Sequence, residues 1–134
     1  MKARWQASDG TVYDVGYLLV WCTKYRRPLL EGKIESRLRE LLFERAQELG
    51  ISIEGMEIMP DHVNLSVSSP PVHAPHFIIQ QLKGHTSRIL RREFGTVRSR
   101  VPTLWTRSYW CASFGRPSAS RKIEVQKYLE EQKE

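Results

Sequence analysis

Residues 12–23, VYDVGYLLVWCT, constrain the fold more than any other stretch, because they are apolar on both alternating faces. Tyr17, Leu19 and Trp21 project one way, and Leu18, Val20 and Cys22 project the other. A strand of this kind is buried on both sides, which places it centrally in a sheet. The segments that follow supply the rest. Residues 33–49 set Ile34, Leu38, Leu41, Leu42, Ala46 and Leu49 on one helical stripe, with Gly50 as the natural stop. Residues 51–59 read as a strand with a bulge at Gly55, and Met59-Pro60-Asp61 is turn chemistry. Residues 62–68, HVNLSVS, alternate strictly: Val63, Leu65 and Val67 face a core, while His62, Asn64, Ser66 and Ser68 face away.

Pro75 suits a first helical position, and residues 76–94 carry Ile78, Ile79, Leu82, Ile89, Leu90 and Phe94 on a second helix ended by Gly95. Residues 96–104 read as a polar, basic loop and residues 105–114 as an aromatic-rich strand. After a turn over 115–120, with Ser118 or Ser120 as N-cap, residues 121–133 form a last helix. Residues 1–10 are polar and expected to fray. The order predicts an α+β fold over 1–134 as one domain. It is a ferredoxin-like (RRM-like) β-α-β-β-α-β antiparallel sheet with helices on one face, plus a C-terminal helix.

Composition sets limits. With 40% apolar and 27% charged residues, the chain reads as a folded domain rather than a disordered one. No apolar run approaches the roughly 20 residues that span a bilayer, and the first ten residues lack a signal-peptide core. Cys22 and Cys111 make neither a disulfide framework nor a zinc motif, so a reducing cytoplasm is the expected compartment and both thiols are expected in the core. Arg outnumbers Lys 14 to 7 within a net charge of +6, and guanidinium forks suit phosphate. Between Lys83 and Arg107 lie seven basic residues and one acid, Glu93. That block points to a polyanion such as nucleic acid, with a merely solvated basic face as the competing reading. Lys83, Arg88, Arg91 and Arg92 share the polar face of the second helix.

Chemistry has few places to reside. No glycine-rich phosphate loop, GxSxG, HExxH or CxxC motif is present. His62 and Asn64 are two apart on one strand, so both project from one face about 6.6–6.8 Å apart. Imidazole nitrogen and amide oxygen at that spacing can converge on a divalent cation such as Mg²⁺, Mn²⁺ or Zn²⁺, although an ordinary solvent-facing strand offers the same pair. Tyr128 and Gln132 lie one turn apart on the last helix, and Gln132 is a candidate third ligand. A half-buried aromatic with a helix-end glutamine is the bland alternative. His73, His76 and His85 read as structural or solvent histidines, with His85 within reach of phosphate. Of Trp105, Tyr109, Trp110 and Phe114, not all can face one core, which leaves one or two for base stacking.

Five blocks together resemble the single-tyrosine HUH transposases (TnpA type) of small insertion sequences transposed as single-stranded DNA. These are YLLVWCTKYRRPLL (17–30), MEIMPDHVNLSVS (56–68), LKGHTSRILRREF (82–94), LWTRSYW (104–110) and VQKYLEEQ (125–132). The resemblance covers about residues 13–133. It implies that Tyr128 is the nucleophile, forming a 5′-phosphotyrosine and releasing a 3′-OH. His62 then matches the first histidine of the HUH pair, and Gln132 matches a polar residue that completes the metal site. It also implies dependence on Mg²⁺ or Mn²⁺, recognition of hairpin ends in single-stranded DNA, and a homodimer in which the tyrosine of one chain can serve the histidine pair of the other. The family motif is normally written MPDHVHLLV, and here Asn64 replaces the second histidine. Asparagine offers a neutral carbonyl oxygen, a weaker donor to transition metals than imidazole. The alternative function is therefore a noncatalytic or degenerate DNA-binding relative. An RNA-recognition module is a weaker reading, because the strands lack its signature pattern.

Overall fold

The strand apolar on both faces needs a neighbour on each edge and a cover on each side, and it has all four. A computed structural model describes residues 6–8, 11–13, 15–113 and 119–132. Two short strands, β1 (Gln6–Ser8) and β2 (Thr11–Tyr13), pair antiparallel as a separate two-stranded sheet. The expected strand over 12–23 is corrected here: the long strand begins only at Gly16, as β3 (Gly16–Cys22). Of the end expected to fray, residues 1–5, 9 and 10 lie outside the described residues.

The main sheet contains β3, β4 (Ser52–Met59), β5 (His62–Ser68) and β6 (Trp110–Ser113), in the order β4-β5-β3-β6 with antiparallel pairing throughout. With α1 (Gly32–Leu49) after β3 and α2 (Pro75–Glu93) after β5, this is the ferredoxin-like arrangement. Gly50 stops α1 in the left-handed region at φ 74°, where a glycine has no Cβ penalty. The ladder between β4 and β5 slips between Ile53 and Gly55, the bulge that Gly55 marks in the sequence.

Leu19, Trp21, Val63, Leu65 and Val67 face α1 and α2, where Leu38, Leu41, Leu42, Ile78, Ile79, Leu82 and Leu90 complete the core. Trp105 joins it edge-on to Trp21 at 5.9 Å, and its indole N–H donates to the buried Thr86 hydroxyl at 3.0 Å. That hydroxyl donates in turn to the Leu82 carbonyl, so the Trp105 indole and the Thr86 hydroxyl are both satisfied. The expected strand over 105–114 is shorter, four residues from Trp110, because Trp105 makes only an isolated bridge to Thr23. The expected loop over 96–104 contains a short helix, α3 (Gly95–Arg100), which buries Val97.

The opposite sheet face is covered by α4 (Ala119–Glu131). Val20 and Cys22 meet Leu129, with Trp110, Val125 and Tyr128 around them. Trp110 thus takes the second face and packs beside α4, whereas Phe114 and Ser118 lie outside the described residues. Ser120 falls inside α4 rather than capping it. Among the described residues, no helix is long and apolar enough to cross a membrane.

Candidate functional site

Residues directly opposite one another in an antiparallel ladder project from the same face. Cys22 stands opposite His62, and Val20 stands opposite Asn64. The face that carries His62 and Asn64 is therefore the face on which α4 packs Tyr128 and Leu129.

Each half of the site has its own supports. The His62 ring donates from Nδ1–H to Asp61 Oδ1 at 2.8 Å. This carboxylate–histidine pairing is the usual way to fix an imidazole whose other nitrogen binds a metal. His62 Nε2 and the Asn64 amide make no hydrogen bond with the described residues. This donor set, a pinned imidazole next to an unengaged amide oxygen on one strand face, fits a divalent cation. On α4, the Tyr128 hydroxyl meets Ser108 Oγ at 3.2 Å, and Ser108 donates to Gln132 Oε1 at 2.8 Å. The serine thus holds the phenol of α4 and the amide of Gln132, just past the helix end, at one point. Gln132, the third ligand expected from the sequence, has its amide oxygen committed to Ser108, and no hydrogen bond joins the Tyr128–Gln132 pair directly to His62 or Asn64 among the described residues.

Arg26 connects the halves. Its Nε and Nη2 grip Asp61 Oδ2 at 2.9 and 2.8 Å, and its Nη1 donates to the Leu129 carbonyl near the end of α4. One guanidinium therefore holds the carboxylate that orients His62 and the helix that carries Tyr128. Arg26 can do so because the turn bearing it is unusual. Tyr25 and Arg26 both have positive φ, 60° and 51°, a conformation costly for residues with a Cβ and kept only where surrounding contacts enforce it. Thr23 anchors this turn, donating its hydroxyl to the Arg27 carbonyl at 2.7 Å and its amide to the Asp61 carbonyl at 3.0 Å.

The electrostatics follow from burial. Burial pushes the Tyr128 phenol above its ordinary range, with hydrogen bonds from Ser108 and Thr106 opposing the shift. Burial likewise pushes the Cys22 thiol up to about 11, so it is an inert neighbour rather than a nucleophile.

The basic residues divide. Lys83 Nζ is half-buried and donates to the carbonyls of Thr106 at 2.5 Å and Ser108 at 3.3 Å, and burial pushes its pKa down to about 8. Lys83 is thus the strut under the segment that presents Ser108. Arg91 is also half-buried and caps the Val101 carbonyl at 3.0 Å. Arg88 and Arg92 remain exposed on α2. His73 and His76 are structural, as expected: His73 Nε2 meets the Leu49 carbonyl, and His76 Nδ1 meets the Tyr109 hydroxyl.

Sequence pattern does not single out Arg26, Asp61 or Ser108 as site residues. Arg26 and Asp61 sit in segments that read as turns, and Ser108 in one that reads as strand. No local pattern joins positions 26, 61, 108 and 129.

Comparison with known proteins bears on this geometry. The model of the family described as "Transposase IS200 like" matches residues 11–132. The chain belongs to the IS200-like transposase family. Like other members, it is a DNA strand transferase by family, acting in DNA transposition. It is similar to the ISDra2 transposase TnpA of Deinococcus radiodurans, 33% identical over 125 residues, or 92% of this chain and 87% of that one. It is also similar to the transposase for insertion sequence element IS200 of Salmonella typhimurium, 25% identical over 125 residues and covering 82% of that protein. A crystal structure of a D. radiodurans R1 protein assigned as a transposase superposes with a TM-score of 0.85 at 29% identity, covering 95% of this chain and 97% of the other. A REP-associated tyrosine transposase bound to a REP hairpin shares the fold, with a TM-score of 0.57 at 13% identity over 83% of this chain and 62% of that one. IS200-like transposases are in general metal-dependent.

Proposed function

We propose that this IS200-like transposase cuts and rejoins single-stranded DNA through Tyr128. The observation that supports this reading is the packing of α4, which lays Tyr128 on the same sheet face as His62 and Asn64, with Arg26 tying both sides together. In the cleavage step the Tyr128 oxygen bonds to phosphorus and the bond from phosphorus to the 3′ oxygen breaks. The phenol loses its proton and the departing 3′ oxygen gains one. Each step exchanges one phosphate ester for another, so resealing by a 3′-OH needs no nucleotide cofactor.

His62 through Nε2 and Asn64 through its amide oxygen would hold the ion, Mg²⁺ or Mn²⁺, with Gln132 joining them once released from Ser108. When bound, such an ion supplies Lewis-acid polarisation of a nonbridging phosphate oxygen. Asp61 keeps the His62 ring oriented, and Arg26 keeps Asp61 in place. A phenol pushed above its ordinary range by burial stays protonated at neutral pH, so Tyr128 attacks only on losing its proton to a base. Arg88 and Arg92 serve as phosphate contacts. The DNA is taken as hairpin ends by a cytoplasmic homodimer, in which α4 acts on its own sheet or on its partner's.

One observation favours a second reading, a binder that has lost chemistry: the neutral amide of Asn64 stands where a second imidazole would bind a metal more strongly. Labelled single-stranded element ends incubated with the protein, with and without Mn²⁺, separate the two on a denaturing gel. The enzyme gives a covalent adduct that needs metal and vanishes in Tyr128→Phe. The binder gives no adduct and a salt-sensitive complex that survives both chelation and Tyr128→Phe.

A further inference from the structure

Three of the four histidines have a hydrogen-bond partner for a ring nitrogen among the described residues, and His85 is the exception. It sits on α2 with only 9% of its side chain exposed, and its buried Nε2 has no hydrogen-bond partner among the described residues. That nitrogen points at Glu44 of α1, whose Oε1 is 3.6 Å away. Glu48 lies one turn further along α1, and one ligand atom from each of Glu44, Glu48 and His85 falls within 4.8 Å of the others. A separation of 3.6 Å is too long for a hydrogen bond. It is close to the roughly 3.3 Å edge of a tetrahedron built on zinc–ligand bonds of about 2.0–2.1 Å.

We propose that Glu44, Glu48 and His85 form a second divalent-cation site that pins α1 to α2, on the side of the sheet opposite α4. One imidazole nitrogen with two carboxylates is a donor set for Zn²⁺, and the exposed glutamates leave the fourth position to water. Arg45 opposes the site: its Nη1 lies 3.3 Å from Glu48 Oε1, so the cation has to compete with a guanidinium. Arg45 also donates to Gln81, which draws part of that charge toward α2. Nothing nucleophilic borders the cluster among the residues named, so the bound ion acts on the stability of the helix pair rather than on DNA chemistry.

The test uses the full chain, Zn²⁺ alone and Co²⁺ alone. Titration calorimetry on His62→Ala, which disables the proposed catalytic ion site, isolates the helix site. One equivalent of Zn²⁺ is expected to bind, with a rise in melting temperature and a Co²⁺ visible absorption band typical of low coordination number. Adding Glu44→Gln and Glu48→Gln together, two exposed positions that leave the fold intact, is expected to abolish the equivalent, the band and the melting shift. His85→Ala is expected to do the same. Zn²⁺ binding unchanged in the double glutamine variant, or no binding in the His62→Ala protein, overturns the proposal. Neither result touches the role of Tyr128, which the adduct assay reads separately.

Discussion

The two faces of the sheet are built differently. One is closed by α1 and α2 over a continuous apolar core of leucine, isoleucine and tryptophan. The other is closed by α4, and among the described residues its buried apolar patch is made by Val20, Cys22 and Leu129. Among the described residues, α4 is also held by specific polar bonds: Arg26 on the Leu129 carbonyl and Ser108 on Tyr128 and Gln132. Apolar burial is non-directional and scales with area, so the first face supplies stability. Directional bonds on the second face fix a position as well as adding stability. Among the described residues, the helix bearing the proposed nucleophile thus rests on a smaller apolar patch and on named directional bonds.

The comparison can be broken by mutation on each side. The largest expected effect on activity is Tyr128→Phe, which abolishes the covalent adduct on a denaturing gel while leaving the melting temperature nearly unchanged. The largest effect on stability is Leu41→Ala in the α1–α2 core. It costs roughly 2–5 kcal/mol in a denaturant titration, whereas Leu129→Ala on the smaller face falls at or below the low end of that range. If the two substitutions cost the same, the contrast between the faces is wrong.

Arg26→Ala is expected to come next. It strands the partly buried Asp61 carboxylate, costing about 1–3 kcal/mol, and weakens Mn²⁺ binding at His62 in a calorimetric titration. Arg26→Lys does not restore both bonds, because one ammonium cannot reproduce a fork that grips a carboxylate and a carbonyl together. Ser108→Ala sharpens the reading of the phenol. Since its hydrogen bond lowers the raised Tyr128 pKa, removing it moves that value further up. The rise of adduct formation with pH then shifts to more alkaline values, a change that a purely structural serine would not produce. Asn64→His is expected to tighten Mn²⁺ binding, and no change would remove Asn64 from the ligand set. The smallest effect is at Arg37, whose paired bonds to Glu93 are exposed. Arg37→Ala is expected to move the melting curve within its error at pH 7. Glu93 has a lowered pKa through its hydrogen bonds from Arg37. Any contribution of the pair is therefore present above the ordinary carboxylate range and disappears as pH falls through that lowered value.

Much of this molecule is determined by local pattern. The double-faced apolar run at Gly16–Cys22, the helical stripe ended by Gly50, the bulge at Gly55 and the strict alternation of His62–Ser68 each specify their element, because periodicity and backbone preference act over a few residues. Sequence order then limits the topology to the ferredoxin-like arrangement, and the motif carried by His62, Tyr128 and Gln132 points to the family. Other features are beyond such reading. The shortened β6 and the small helix α3 depend on where Trp105 and Val97 find space in the core. Lys83 and Arg91 look like free cations in the sequence, yet they serve as struts to backbone carbonyls because of what folds over them. The joining of Arg26 to Asp61 and Leu129, and of Ser108 to Tyr128 and Gln132, belongs to tertiary structure alone. These bonds span from 20 to 103 positions of chain, and a hydrogen bond depends on a few ångströms of distance and direction that no local period encodes.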